Sequence, residues 1–594
     1  MNTPTRLLCV LTVSIASLTA APETPWEKGP FSCYAVPPLS SIMRLPDQLP
    51  EDARLSSVLR VIAAQGEFEP TSFVISPRAD VAKLELKPTA LTGPGGKIPA
   101  SAVDIKIVKT WYQGGTAWFS YFGDSNRREL VPELLLNDET LVKVDEEKKE
   151  NYLRVGKDYQ WISYPADKGE KPFNYLTEPV ADSRTLLPIA LTKGKNKQIW
   201  ITIKVPTDAK GGIYRGKINL IADGKPAGAM DLEVKVLPFQ LPLPKTYYNL
   251  ANDYLVTMYA TGMMGVAERY GLSREAAEKQ QMAIFRNLLN HNIFNSRSET
   301  DIGAKDPAGD VEKMKRELEM MKETGFQMKP LLSRGWSYPL NDKETPEQYQ
   351  TRINLLAKTL KEGVGHDDIY VTSWDEAGVE RIKVMREATE YTNTQGLELW
   401  ATTAKGRHFD LAGYIINYAN HGGWPDRDTA QQWHAIGSKV SSYAGPHTGP
   451  ENPDVFRRWE GMARYKANYD GSHNYKYYSQ INPSVFDRGK ANVWNDFQGG
   501  AFRQFNLVYP TADGVIDTIS WEGFREGIDD VRYATKLKQE ADLAIKSGKV
   551  KAMHTAKKAL MWLELFDAKK GDLTAARQEM IEYILKIQAA MAAN

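Results

Sequence analysis

Short alternating strands before a three-proline linker, eight apolar runs alternating with helical patterns after it, and an amphipathic helical tail predict a chain of three parts. The parts are an antiparallel β-sandwich over 22–244, a (β/α)8 barrel over 245–525 and a C-terminal helical layer over 526–594. Residues 1–21 precede them as a separate segment.

That first segment has one positive residue, Arg6, an apolar run from Leu7 to Leu18, and small residues at Thr19, Ala20 and Ala21. This is the pattern of a secretory signal, too short to remain as a span. Cleavage after Ala20 or Ala21 leaves a mature chain starting near Pro22 that is secreted or periplasmic. Only Cys33 of the two cysteines is then left, so neither a disulfide framework nor a cysteine metal site is available.

In the sandwich, Ser57 to Ala63 and Thr71 to Ile75 flank Gln-Gly-Glu-Phe-Glu-Pro at 65–70, and Ile199, Ile201 and Ile203 alternate along Gln198 to Val205. Tyr214 to Ile221 leads through Asp223-Gly224 into a strand ending at Val236. The polar stretch from Ser125 to Pro179 is read as long loops, and Leu237 to Pro244 as a stiff linker. Barrel strands are predicted at Tyr247 to Leu255, Asn292 to Asn295, Gln327 to Leu332, Ile369 to Trp374, Leu397 to Thr402, Ala412 to Tyr418, Val440 to Ala444 and Ser472 to Tyr475. Helix starts lie at Ser273 and at Thr345-Pro346-Glu347-Gln348, a capping box with proline at the first helical position. In the tail, Trp521, Phe524, Ile528 and Val531 fall at helical spacing, followed by helices over Ala556 to Phe566 and Leu573 to Ile587, their charges read as a solvated face, with Arg525, Glu526, Asp529 and Asp530 read as structural ion pairs on a helix.

The chain of 594 residues carries 75 basic and 74 acidic residues without a block of one sign, which argues against a nucleic acid or an anionic membrane as partner. Aromatics make up 10%, which suits either large cores or the apolar faces of sugars. His408, His421, His434, His447 and His473 lack metal-ligand spacing, and no P-loop, dinucleotide fingerprint or Gly-x-Ser-x-Gly elbow is present. No metal and no cofactor are expected.

Chemistry is expected at Asp367 to Gly378, where Asp375 and Glu376 fall between a buried strand and a helix. In a (β/α)8 barrel that junction is the catalytic face. Adjacent carboxyl groups resist ionising together, so one can stay an acid while the other stays charged. The same pair would also suit the first turn of a helix.

Leu-Val-Tyr-Pro at 507–510, Asp513-Gly514 and Trp-Glu-Gly-Phe-Arg-Glu-Gly-Ile-Asp-Asp at 521–530 resemble the C-terminal signature of glycoside hydrolase family 123 and its relatives. Gly-Glu-Phe-Glu-Pro at 66–70 and the stretch from Val205 to Gly216 are similar to that family's amino-terminal domain. The resemblance implies a β-N-acetylgalactosaminidase-like enzyme whose adjacent Asp and Glu, here Asp375 and Glu376, act by substrate-assisted catalysis. One departure is Ala377, where the family pattern has proline.

The residues support the same chemistry independently. A retaining enzyme with two carboxylates needs a second one near the acid, commonly from a late strand, and Val440 to His447 has none before Glu451. A substrate 2-acetamido group can replace it, with Glu376 as proton donor and then base, and Asp375 orienting the acetamide; an inverting mechanism with an activated water and a remote base stays open beside it. Tyr418, or else Tyr443, is expected to donate to the acetamide oxygen. Asn252, Asp253, Arg297, Arg334, Trp336, Trp374, Asn417, Trp424 and Trp494 are candidates to line a sugar pocket for a glycan partner. Three readings stay open: a glycosidase on β-linked 2-acetamido sugars, one on another sugar, and a non-catalytic carbohydrate-binding protein.

Overall fold

The computed structural model describes residues 26, 29–114, 127–163, 180–260, 262–266, 272–335, 344–403, 407–443, 451–478, 493–494 and 506–593. In the amino-terminal part, Ile199, Ile201 and Ile203 are fully buried, as their alternation requires. Their strand, Lys197–Lys204, lies between Phe68–Pro77 and Val103–Gln113 in a six-stranded sheet. A second sheet runs Ile189–Leu191, Val81–Pro88, Gly212–Ala222, Lys225–Gln240 and Val58–Gln65. Asp223 and Gly224 both have positive φ, the conformation a two-residue hairpin of matching twist demands.

Three expectations need correction here. Val58–Gln65 pairs in parallel with Lys225–Gln240, so this region is not purely antiparallel. The stretch from 237 to 244 is not all linker: the strand continues past Pro238 to Gln240, with the proline at an irregularity of register between Val236 and Gln240, where its missing N–H costs no ladder bond. The stretch from 125 to 179 is not all loop either. Glu129–Leu136 pairs with Val103–Gln113, and Val142–Asp145, Glu150–Val155 and Asp158–Trp161 form a small sheet whose first turn holds the charged residues around 146–149.

The second part is a nearly closed parallel barrel of eight strands. In chain order they are Leu255–Met258, Arg297–Ser298, Leu331–Ser333, Ile369–Asp375, Glu398–Thr403, Tyr418–His421, Lys439–Ser442 and Gly471–Asn474. Between strands one and two the ladder gives way to Asn295, whose N–H donates to the Val256 carbonyl at 3.0 Å and whose Oδ1 accepts from the Val256 N–H at 3.3 Å. The helices that cover the barrel start as their sequences dictate. Ser273 caps Arg274–Asn290, and Thr345 and Gln348 form a complete capping box on Pro346–Val364.

Strand number and order match the sequence pattern, but three strands shift along the chain, strand two from the expected Asn292 to Asn295 to Arg297–Ser298 and strands one and six as well. Strand one begins at Leu255, where the sequence suggested its end, and strand six begins at Tyr418. The apolar run before Tyr418 is spent on a helix, Arg407–Ala412, and a 3₁₀ turn, Gly413–Ile415.

The tail is three helices, Ile519–Lys546, Val550–Leu565 and Leu573–Ala592. The first runs unbroken through the 525/526 division between barrel and tail. Its first turns are not a solvated face: Glu522, Arg525, Glu526, Asp529 and Asp530 are all buried, the last four in ion pairs as their sequence reading expects. Arg577 donates to Asp530 (2.6 Å), Glu526 (2.7 Å) and Glu69 (2.9 Å), and Arg457 forks onto Asp530 at 2.7 and 2.9 Å. Tyr533 donates to Glu67 at 2.7 Å. Two of the stretches that carry the sequence resemblance, 66–70 and 521–530, therefore meet in one ion network, which ties the amino-terminal sheets, the helix Pro453–Arg458 and the tail together. Removing one partner of such a buried pair typically costs about 3–5 kcal/mol.

Candidate functional site

Strand four ends in an irregularity: its pairing with strand five slips between Thr372 and Asp375, and Glu376 then adopts φ of 42°. A bulge re-aims the side chains that follow it, and a non-glycine residue in the left-handed region is held there against a cost of about 1–3 kcal/mol. The result is that two neighbouring carboxyl groups both lie exposed at the carboxyl end of the barrel. Glu376 accepts a hydrogen bond from the Tyr443 hydroxyl, which follows strand seven. The Glu376 N–H donates to the Thr402 carbonyl of strand five at 3.2 Å.

Asp375 faces a different set of groups. Surrounding protein pushes its pKa up, opposed by a hydrogen bond from Thr402 and by the charges of Arg297 and Arg381. The Thr402 hydroxyl also lies 3.2 Å from the Tyr259 hydroxyl. A hydroxyl donates once, so a Thr402 that donates to Asp375 accepts from Tyr259.

Beneath Asp375 the barrel mouth is floored by aromatic and cationic side chains. His473 stacks on Trp400 with centroids 4.5 Å apart, and Tyr259 meets the His473 ring edge-on at 4.5 Å. The Arg297 guanidinium lies 4.2 Å over the Tyr259 ring and forks onto Glu299 at 2.8 and 2.7 Å. Glu299 is held in turn by its own N–H, which donates to Glu317 at 3.1 Å. Burial, then Arg297 and Arg464, keep His473 well below the usual imidazole range, so it is neutral. Neither of its ring nitrogens has a hydrogen-bond partner among the described residues. Tyr475 is pushed up to about 12, chiefly by burial. Lys476 is lowered to about 8 by burial, with Glu299 opposing and Arg334 reinforcing.

Of the residues singled out in the sequence, Asp375, Glu376, Arg297, Arg334 and Tyr443 come together at strand ends on this face. Tyr418 and Asn417 do not. Tyr418 begins strand six, fully buried against Tyr370, and Asn417 Oδ1 accepts from the Leu399 N–H at 2.8 Å, so both belong to the opposite end of the barrel. Asn252 and Asp253 precede strand one at that same far end, with Asp253 paired to Lys245. Trp494 is buried between Trp111 and Tyr509, its Nε1 donating to the Pro510 carbonyl at 3.0 Å, and serves a core. Trp336 lies outside the described residues, as does the side chain of Trp374. The register shift of strand one hid Tyr259, and Glu299, Thr402 and Lys476 gave no signal a single sequence distinguishes from ordinary polar residues.

Glu451, the first acid after strand seven, accepts from the Ser520 hydroxyl at 2.9 Å and is committed to the tail helix. One group of metal-ligand type occurs among the described residues, His291, Asp517 and Glu522. Its carboxylates are already matched: Arg525 donates to both oxygens of Glu522 at 3.0 and 2.6 Å, and Asn287 to Asp517 at 2.7 Å. It reads as part of the buried ion network.

Fold and site define a parallel eight-stranded barrel with paired carboxyl groups and an aromatic, cationic floor at its carboxyl-end face. The chain resembles, in fold, a family 123 glycoside hydrolase from Clostridium perfringens, at 13% identity and a TM-score of 0.57, covering 94% of this chain and 98% of that one. A Bacteroides ovatus family 5 xyloglucanase (9% identity, TM-score 0.28, 79% of this chain and 98% of that one) overlaps more loosely. So does a Thermobacillus composti family 10 xylanase (11% identity, TM-score 0.28, 48% and 98%). No family model and no curated protein matches the sequence. No helix among the described residues is long and apolar enough to cross a membrane.

Proposed function

We propose that this protein is a secreted glycoside hydrolase that removes β-linked 2-acetamido sugars, of the N-acetylgalactosamine kind, from glycans by substrate-assisted, retaining catalysis. The observation that carries this reading is the division of labour at the end of strand four. Asp375 faces Arg297 and Thr402, whereas Glu376 faces Tyr443 across the barrel mouth. Glu376 donates its proton to the leaving oxygen and later takes one from water. Asp375 accepts the acetamide N–H, turns its carbonyl toward the anomeric carbon and stabilises the cationic ring. The carbonyl oxygen forms the new C–O bond as the glycosidic bond breaks, and water then opens the cyclic intermediate.

Support for a nucleophile drawn from the substrate comes from the carboxylates nearby: Glu299 is locked by Arg297, and Glu451 is turned away to Ser520. With Tyr418 at the far end of the barrel, Tyr443 is the hydroxyl we assign to the acetamide; it donates to Glu376 in the free site and, having one proton, must turn from it to donate to the acetamide oxygen. We also read the two amino-terminal sheets as a face-to-face sandwich that buttresses the barrel, and the leader before Pro22 as a cleaved signal.

The test compares aryl 2-acetamido-2-deoxy-β-galactoside with the plain β-galactoside, since only the former can form the cyclic intermediate. Hydrolysis of the first is expected to exceed the second by orders of magnitude, with inhibition by an oxazoline-like thiazoline. Equal rates without thiazoline inhibition would point to a protein nucleophile and another sugar. Glycan binding without turnover would point to a binding protein.

A further inference from the structure

Two aromatic rings stand beside the site and take no part in the reaction just described. Trp424 is 56% exposed, unusual for the largest side chain. It leans on half-buried Trp459, ring centroids 4.4 Å apart and planes inclined at 44°, so that the two rings form an open V. Contacts beside Trp424 lead to the reacting groups, and those beside Trp459 lead to strand eight and the tail helix. Trp424 ends the loop Gly422-Gly423-Trp424 that leaves strand six. Gly422 passes so close to Tyr443 that a Cβ there would fall 2.3 Å from its hydroxyl, and the Ser442 hydroxyl donates to the Gly423 carbonyl at 3.2 Å. The hydroxyl that crowds Gly422 is the one bonded to Glu376.

Trp459 is fixed from the other side. It follows the helix Pro453–Arg458, and the next residue, Glu460, is fully buried and accepts from Asn474 at 2.6 Å and from the Ser472 hydroxyl at 2.9 Å, both on strand eight. At Gly461 the chain leaves helical geometry, where a Cβ would fall 2.2 Å from the Gly527 carbonyl oxygen. The kinked segment is thereby clamped between the tail helix and the carboxyl end of strand eight.

We infer that Trp424 and Trp459 form the subsite for the leaving-group saccharide, the sugar bonded through the oxygen that Glu376 protonates. This rests on the reading of Glu376 as acid. The sugar being cleaved is claimed by the Asp375 side, with Arg297, Tyr259 and Tyr475, because its acetamide must reach Asp375. The departing sugar then lies on the Glu376 side of the bond that breaks, where Trp424 and half-buried Trp459 stand. Flat indole faces suit the apolar C–H face of a pyranose, so the rings hold the saccharide by stacking.

The experiment measures kcat/KM for the wild type, Trp424→Ala and Trp459→Ala on two substrates with the same reacting sugar. One is a 2-acetamido-2-deoxy-β-galactosyl disaccharide, and the other is the corresponding glycosyl fluoride, whose leaving atom is too small to reach the rings. The Trp424→Ala variant is expected to lose about tenfold or more on the disaccharide and less than about twofold on the fluoride, with Trp424→Phe recovering part of the loss. Equal losses on both substrates, or none on either, would overturn the assignment. An unchanged thermal midpoint for Trp424→Ala checks its fold. If the wild type cleaves neither substrate, the glycosidase reading fails on its own terms. The subsite then stands or falls on tryptophan fluorescence titrated with the disaccharide, where binding that weakens tenfold in Trp424→Ala supports it and no binding by the wild type refutes it.

Discussion

Replacing Thr402 with valine keeps the shape of the side chain and deletes the hydroxyl that Asp375 accepts from. A hydrogen bond to a charged group is worth about 1.5–3 kcal/mol, and the low end applies because Asp375 is exposed at the mouth and partly screened by solvent. About 1.4 kcal/mol corresponds to one pH unit. The lost donor stabilised the ionised form, so Asp375, already above the ordinary aspartate value, moves further up. Protonated Asp375 cannot accept the acetamide N–H. The acid limb of kcat/KM for an aryl 2-acetamido-β-galactoside should therefore move to higher pH by about one unit in Thr402→Val, with activity near wild type well above that limb. Tyr259 keeps a contact with Asn420 at 3.5 Å, so the floor stays in place. A full pH profile of both proteins on one substrate decides it, and an acid limb that stays put or moves down would refute the role given to Asp375.

The other expectations are simpler. Asp375→Asn should cost about 10²-fold or more on 2-acetamido substrates, and Glu376→Gln should abolish turnover of poor leaving groups; wild-type rates in either would remove that residue from the mechanism. Glu67 is pushed up to about 8, first by burial and then by Asp529, with Arg577 opposing. The folded chain therefore keeps a proton that the unfolded chain loses near pH 4. Its contribution is fully present below that pH and is lost as pH rises through about 8, with a slope of at most about 1.4 kcal/mol per pH unit in between. Urea midpoints at several pH values should show Glu67→Gln flattening that decline. Amino-terminal sequencing of exported protein should start near Pro22, with a single titratable thiol after unfolding, since Cys33 is free and buried.

The sequence by itself settled what depends on local periodicity and short-range chemistry. Eight apolar runs gave the strand number and order, the Thr345 capping box and the Asp223-Gly224 turn appeared where they were read, and the acidic pair fell at a strand end. Each of these is fixed by residues within a few positions of one another. What the tertiary structure decided is everything that depends on where a strand starts relative to its neighbours. The apolar residues before Tyr418 satisfy a helix and a turn as readily as a strand, so its sequence could not tell which end of the barrel it occupies. The same slip at strand one concealed Tyr259. The partner of a charge was equally non-local: Glu526 and Asp530 are legible as members of structural ion pairs, but Arg457 and Arg577, which reach Asp530 from 73 and 47 residues away, are not legible as their partners. Helical spacing places a side chain on a face, and only assembly shows whether that face meets water or a buried partner of opposite charge.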